Sequence, residues 1–351
     1  MSKFFLSILL TVIILITPLT VFIAPEAGYL ADERRRPATF PVLPPKLRVR
    51  AVREFFRGVE AFFADRFPGR NIFLALAADL REASGFTELD KCYPGLDNWL
   101  FLGDKYSQSV SKLRGGVFLS SVDLKRQIIR YKKMAEVARA VGAEFAIFIG
   151  PNKSSVYPEY LPSVVIPAPE RFITPLLVSL QRAGLQVYDP TDRLKQLKNK
   201  GLLYYRTDTH WNALGAYEAF EGFRIYMGLP PLPPLTLTES PDTMAGDLIG
   251  IGGYYNFPLS PGDKFNLNWH TPPEWREENG RYLNARATTD KSVWLFRDSF
   301  SDALMPYLAA TFKEIKLFWA WWEDIEAILD AHETKPDLII LERVENGFGD
   351  Y

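Results

Sequence analysis

The stretch Glu144-Phe145-Ala146-Ile147-Phe148-Ile149, followed at once by Gly150-Pro151-Asn152-Lys153-Ser154-Ser155, decides the fold class. A short apolar run rich in β-branched and aromatic side chains, closed by glycine and proline, reads as a buried strand that ends in a loop. Helical spacing from Val122 to Val141 precedes it. Downstream, a helix is expected over about Glu170 to Ala183 and a short strand over Gln186-Val187-Tyr188. The rhythm resumes after Asn212 with a helix to about Tyr226, strand Ser292 to Phe296, a helix, strand Ile315 to Trp319, a helix and strand Asp337 to Leu341. Strands that alternate with helices argue an α/β fold with a parallel sheet covered by helices. The stretch from Leu229 to Thr289, with Pro230, Pro231, Pro233, Pro234 and Gly246, Gly250, Gly252 and Gly253, reads as loop. Its length suggests function rather than mere connection.

Toward the N-terminus, apolar positions recur every three or four residues from Leu47 to about Phe67, which predicts an amphipathic helix ending before Pro68-Gly69. A second helical run covers Ile72 to Leu80. In Gly95 to Gly103 a turn precedes a short strand with Trp99 and Phe101 on one face. Earlier still, an uncharged run from Phe4 to Ile23 has about the 20 residues needed to cross a hydrocarbon core of roughly 30 Å. Lys3 precedes the run and the next basic residue is Arg34, so the remainder is expected outside the cytoplasm. A cleaved secretory signal is the alternative, and it exports the chain equally. The expected organisation is a membrane anchor or signal over 1–24, a proline-rich stalk over 25–46 and one domain over 47–351.

Composition narrows the function. The 351 residues are 47% apolar, with 41 basic against 42 acidic side chains, which excludes wholesale disorder and gives no basic footprint for nucleic acid. The single cysteine, Cys92, supplies neither an internal disulfide nor a thiolate-rich metal site, and no His/Asp/Glu grouping has convincing metal-ligand spacing. Only three histidines are present. Of these His210 stands apart, in Thr207-Asp208-Thr209-His210-Trp211-Asn212. A carboxylate two residues ahead of an imidazole projects to the same side if the backbone is extended, and can then fix the tautomer of a base. Asn212 is a good N-cap for the helix that follows.

The second chemical element is Val293-Trp294-Leu295-Phe296-Arg297-Asp298-Ser299-Phe300-Ser301. A buried strand here enters a sharp turn with Ser299 at its apex, and Ser301 or Asp302 is expected to cap the next helix. Pro306 makes that helix start late or kink. A serine so placed lies beside helix N-terminal amides that can hold an oxyanion. For Ser299 alone a plain cap is the competing reading, and for His210 a structural loop histidine. Their joint occurrence with Asp208 supplies nucleophile, base and orienter in one chain. Trp319, Trp321 and Trp322 fit either sugar stacking or core, while His270 and His332 have no such carboxylate.

The blocks Thr207 to Asn212 and Arg297 to Ser301 resemble the two signature motifs of the SGNH-hydrolase-like alginate O-acetyltransferases, the AlgJ/AlgX type, and of their relatives named for a DHHW motif. Similar blocks recur at Asp65 to Arg70, Asp97 to Phe101, Pro151-Asn152-Lys153, Tyr157 to Pro162 and Glu342 to Glu345. Arg297 stands where the alginate enzymes carry glycine, and suits the DHHW relatives. The resemblance implies a flavodoxin-like three-layer α/β/α fold in which the Asp-x-His block precedes the serine. It further implies Ser299 as nucleophile, His210 as general base and acid, and Asp208 as orienter. The activity implied is acetyl transfer onto an exported polysaccharide such as cellulose or a secondary wall polymer, without a cofactor. The acetyl donor would be a partner membrane-bound O-acyltransferase, and the domain would sit on the outer side of the membrane. Asn152, the amides of Ser299 and Phe300, Arg297 and Lys153 are candidates for oxyanion or substrate contacts. A plain acetylesterase with the same triad and a non-catalytic glycan-binding scaffold are the alternatives.

Overall fold

The computed structural model describes residues 36–45, 48–67, 70–84, 88–278, 280–319 and 325–348, without the side chains of 81–83. The apolar run expected to cross a membrane, most of the stalk, and Trp321 and Trp322 lie outside these residues. Among the described residues no helix is long and apolar enough to span a membrane. The chain divides into two compact units, one of residues 1–87 with 249–257 and one of 88–248 with 258–351.

In the first unit, the two predicted amphipathic helices form as Val49–Arg66 and Arg70–Ala83. Residues from the proline-spaced segment are tied to the first of them. The Ala38 amide donates to the Asp65 carboxylate at 2.7 Å, and the Phe40 ring meets Phe62 edge-on at 5.2 Å.

Among its described residues the second unit holds eleven strands: β1 (Cys92–Pro94), β2 (Leu100–Leu102), β3 (Glu144–Gly150), β4 (Gln186–Tyr188), β5 (Leu235–Glu239), β6 (Phe265–Trp269), β7 (Trp275–Glu278), β8 (Arg281–Asn284), β9 (Thr289–Phe296), β10 (Phe312–Phe318) and β11 (Leu338–Val344). Seven of them make one sheet, in the order β4-β3-β11-β9-β10-β8-β7. The first five run parallel, whereas β8 pairs antiparallel with β10, and β7 antiparallel with β8. The sheet is therefore mixed, which corrects the expectation of a parallel one. The supposed loop stretch also contains an antiparallel β5–β6 pair. Its second hairpin had a readable signal, because Asn279-Gly280 lies between the strands and Gly280 takes the left-handed φ of 73° that such a turn requires. Proline and glycine content had masked it.

Alternation along the central strands explains the layers. Phe145, Ile147 and Ile149 of β3, Trp294 and Phe296 of β9, and Ile339 and Leu341 of β11 enter one core. Ala146, Phe148, Val293, Leu295, Leu338 and Ile340 enter the other. Helices Ser121–Ala140 and Thr174–Arg182 supply the first core; helices Thr191–Gln196, Ala213–Tyr226 and Met305–Thr311 supply the second. Both faces of the sheet are thus covered, giving the three-layer α/β arrangement. Following β3 the chain moves to one side, to β4, and following β9 to the other, to β10. Ligands of open α/β sheets bind where such connections diverge, beyond the carboxyl ends of the strands.

The Asp97-Asn98 turn between β1 and β2 uses two left-handed residues, φ 52° and 60°. It delivers Trp99 and Phe101 into the second core with their rings stacked at 6.1 Å, as their shared strand face predicts. Gly215, in the first turn of the Asn212-capped helix, lies so close to Leu203 that an added Cβ would meet its carbonyl oxygen at 2.0 Å. A Gly215→Ala variant is expected to lose about 1–3 kcal/mol, as overpacked sites do, with an unchanged urea m-value. A midpoint equal to that of the parent chain would show that this approach is not needed.

Candidate functional site

Two segments meet over the carboxyl end of β9. The first is the loop from Tyr205 to His210, closed at its base by a bridge between Tyr204 and Trp211 and by the Asn212 amide on the Leu203 carbonyl at 3.0 Å. Asn212 then caps the next helix, its side-chain oxygen accepting from Gly215 N at 2.9 Å, as its position predicts. Within the loop, Asp208 and His210 are brought together by a side-chain turn rather than by extended backbone. Asp208 Oδ1 accepts from the His210 amide at 3.0 Å and meets His210 Nδ1 at 2.6 Å.

The second segment is the turn after β9. Arg297 and Asp298 leave the strand, a 3-10 turn covers Ser299–Leu304, and helix Met305–Thr311 follows with Pro306 in its first turn. Proline is tolerated there because that N–H has no partner within the helix. The cap is neither Ser301 nor Asp302, contrary to expectation. Asp298 takes the place, its Oδ1 accepting from Phe300 N at 2.9 Å and its Oδ2 from Val344 N at 2.7 Å. Ser299 is left half-exposed at the apex, with Oγ 2.7 Å from His210 Nε2.

Asp208, His210 and Ser299 therefore form one continuous hydrogen-bonded chain. The direction of its protons follows from Asp208. Burial alone would raise this carboxyl, but His210 and the amides of Asp247 and His210 outweigh it and hold it well below the usual carboxylate range. An ionised Asp208 requires the proton on Nδ1, so Nε2 accepts from the Ser299 hydroxyl. The Phe300 ring packs 4.9 Å from the imidazole, and the Trp211 indole donates to the Phe300 carbonyl at 2.9 Å.

Several supports had no role assigned to them from the sequence. Asp247 holds the loop from the side: its amide donates to Asp208 Oδ2 at 3.0 Å, and its carboxylate accepts from Thr209 N at 2.8 Å and Thr209 Oγ1 at 2.7 Å. Gly246 lets this strand of chain approach, since a Cβ there would lie 2.4 Å from the Thr207 carbonyl oxygen and 2.5 Å from Asp208 Cβ. Beneath Ser299, fully buried Glu342 accepts from the Ser301 hydroxyl at 2.5 Å and from Asp298 N at 3.2 Å. Burial and the neighbouring Asp298 push its carboxyl far up, and burial raises Asp298 too. Glu342 accepts fewer amide hydrogen bonds than Asp298, so it holds the proton of the pair. A glutamate within the apolar run of β11 was the available signal. Asp247, lost among loop residues, offered none.

The remaining candidates depart from expectation. The Phe300 amide is given to Asp298 and is not placed to hold an oxyanion, whereas the Ser299 amide has no hydrogen-bond partner among the described residues. Arg297 turns away from the serine: Nε donates to the Asp298 carbonyl at 3.1 Å, the guanidinium pairs with Asp302, and it lies 4.8 Å from the Trp319 ring. Asn152 sits at the cap position of helix Lys153–Val156 without capping it, and lines a cavity of about 190 Å³ with Arg171, Lys195 and Glu345. Lys153 is buried against the 205–208 loop. Trp319 is 60% exposed. His332 packs on Trp294 and accepts no role in the chain of three. Contrary to the sequence reading, Asp208, His210 and Asp247 do present ligand atoms within 4.8 Å of one another, close enough for a metal ion. Their facing atoms are already committed to the hydrogen bonds above.

The family described as SGNH hydrolase-like domain, acetyltransferase AlgX matches residues 92–222, a span that contains Asp208 and His210. The curated "Probable alginate O-acetylase AlgJ" of Pseudomonas aeruginosa is 28% identical over 165 residues. That match spans 45% of this chain and 38% of the relative. Among solved structures, the O-acetyltransferase domain of Pseudomonas putida AlgJ superposes with a TM-score of 0.50 at 16% identity, covering 74% of this chain and 93% of that one. Bacillus cereus PatB1 superposes with a TM-score of 0.51 at 14% identity, covering 74% and 97%. At such identities the superpositions speak for the α/β fold alone, and the family match over residues 92–222 supports its SGNH hydrolase-like character. The family match and the AlgJ relative bear out the resemblance read from the sequence blocks.

Gly246 offers a direct test of the geometry. Gly246→Ala is expected to slow labelling of Ser299 by a fluorophosphonate about 10²-fold, because displacing the Asp208 backbone misaims the imidazole. Labelling at the parent rate would show that the approach of this segment does not set the chain of three.

Proposed function

We propose that this protein is an O-acetyltransferase that carries an acetyl group on Ser299 and delivers it to a hydroxyl of an exported polysaccharide. The observation that carries the reading is the unbroken chain Asp208–His210–Ser299, with contacts of 2.6 and 2.7 Å and the serine half-exposed. The AlgJ relative supports the choice of reaction. In the first half, His210 Nε2 takes the Ser299 proton as Oγ attacks the acetyl carbonyl, and returns it to the departing donor oxygen. The second half begins when a sugar hydroxyl gives its proton to Nε2 and attacks the acetyl-serine ester. Collapse then releases Ser299, which recovers the proton. Asp208 stays ionised throughout and stabilises the imidazolium. General-base help contributes about 10² to 10⁴ in rate, and an oxyanion donor about 10² to 10³, a role assigned here to the Ser299 amide.

An acetyl donor brought by a membrane-bound O-acyltransferase, a membrane tether at Phe4 to Ile23 and an extracytoplasmic position belong to this proposal as well. Its rival is an acetylesterase, favoured by the exposure of Ser299, which admits water to the same ester. Incubation with an activated acetyl ester and an oligosaccharide acceptor separates the two. Acetylated peptide containing Ser299, acetylated oligosaccharide, and loss of both in Ser299→Ala are expected by mass spectrometry. Acetate as the sole product across a panel of glycans would establish the esterase, and undiminished transfer by Ser299→Ala would remove the acyl-serine.

A further inference from the structure

Lys153 leaves β3 as the first residue of a four-residue helix and turns inward, with only 5% of its surface exposed. Its ammonium donates to the carbonyl oxygens of Tyr205, Arg206 and Asp208 at 3.1, 2.9 and 2.7 Å. Three N–H bonds thus meet three acceptors, the full capacity of the group. The faces of Trp99 and Phe101 lie 5.5 and 5.4 Å from the same nitrogen. Among the described residues no carboxylate forms a hydrogen bond or ion pair with it. The charge is spent on backbone, and on the four residues that bring the chain to Asp208. A buried ammonium is costly, and an apolar side chain would fill the same space more cheaply.

We propose that Lys153 is a positioning residue for the reaction: by gripping these carbonyls it sets the backbone from which Asp208 aims the His210 imidazole at Ser299. The inference rests on the acyl-serine reading and adds a device to it. The grip also gives the loop a basic limit. Burial lowers the Lys153 ammonium to about 8, against the opposing pull of Asp208, Asp247, Cys92 and Asp263, the titratable groups that face it. A neutral amine keeps two N–H bonds and cannot serve three carbonyls. As pH rises through about 8 the loop should loosen. Global stability moves the other way: with the ordinary value near 10.5, the unfolded chain binds more protons than the folded one in between, so this group's contribution to stability rises with pH.

Turnover of an activated acetyl ester, followed from pH 6 to 10 beside the denaturation midpoint, reads both signs. The parent chain is expected to lose kcat around pH 8 with KM little changed and no fall in midpoint attributable to Lys153. Lys153→Met should lower kcat about 10²-fold below pH 8, abolish the limb and keep its fold, a loss typical of misplacement on the order of 1 Å. Lys153→Arg, charged throughout, should lack the limb as well. Full kcat with the limb intact in Lys153→Met would overturn the inference. Should that variant fail to fold, titration of the ¹⁵N-labelled parent decides. A Lys153 amine midpoint near 8 that moves the carbonyl shifts of Tyr205, Arg206 and Asp208 sustains the inference, and unmoved shifts overturn it. Failure of the acyl-serine itself would show separately, as turnover retained in Ser299→Ala.

Discussion

The 2.7 Å contact between His210 Nε2 and Ser299 Oγ joins segments 89 residues apart, and most of the surrounding architecture serves to hold it. A hydrogen bond of this kind is worth little net stability, since water competes for both partners. It persists because each partner is fixed by something stronger. Ser299 follows a central strand buried on both faces, and its turn is pinned by the two amide bonds that Asp298 accepts. His210 is fixed by Asp208, and Asp208 by a loop that other elements hold. The geometry is therefore imposed from outside.

Charge placement follows the same logic. Asp208 is kept ionised by the donors aimed at it, whereas Glu342, equally close to the turn but poorly supplied with donors, is kept neutral by burial. Two negative charges under the serine would oppose an oxyanion forming on its far side. A neutral Glu342 supplies packing and a hydrogen-bond acceptor without that penalty. The loop carrying Asp208 likewise offers its carbonyls to a buried cation instead of to solvent, so that the same dipoles serve as anchor points.

Much of this could be read from the residues. The β3, β9 and β11 runs announced buried strands, the Asn212 cap announced a helix start, and the Asp208-x-His210 and Asp298-Ser299 blocks carried the three side chains that meet in one hydrogen-bonded chain. What escaped is non-local or ambiguous. The β7–β8 hairpin hid in a proline-rich stretch, because composition outweighed one Asn-Gly turn. Ser301 and Asp302 looked like caps, but Asp298 reaches the amides first, and that choice also takes the Phe300 amide away from any oxyanion. Arg297 looked like a substrate contact by adjacency, yet just past the end of β9 its side chain turns toward Asp302 and Trp319. Asp247 and Lys153 lie 39 and 55 residues from Asp208, and no local pattern reports such a distance.

The proton on the imidazole is the most direct measure of the account. With three histidines in the chain, ¹⁵N-labelled His210 can be assigned by substitution, and the proton spectrum inspected downfield of the amide envelope. A hydrogen-bonded Nδ1–H resonance at strong downfield shift, lost in Asp208→Asn and displaced in Ser299→Ala, is the predicted result. A neutral His210 protonated on Nε2, or a resonance indifferent to both substitutions, would contradict it.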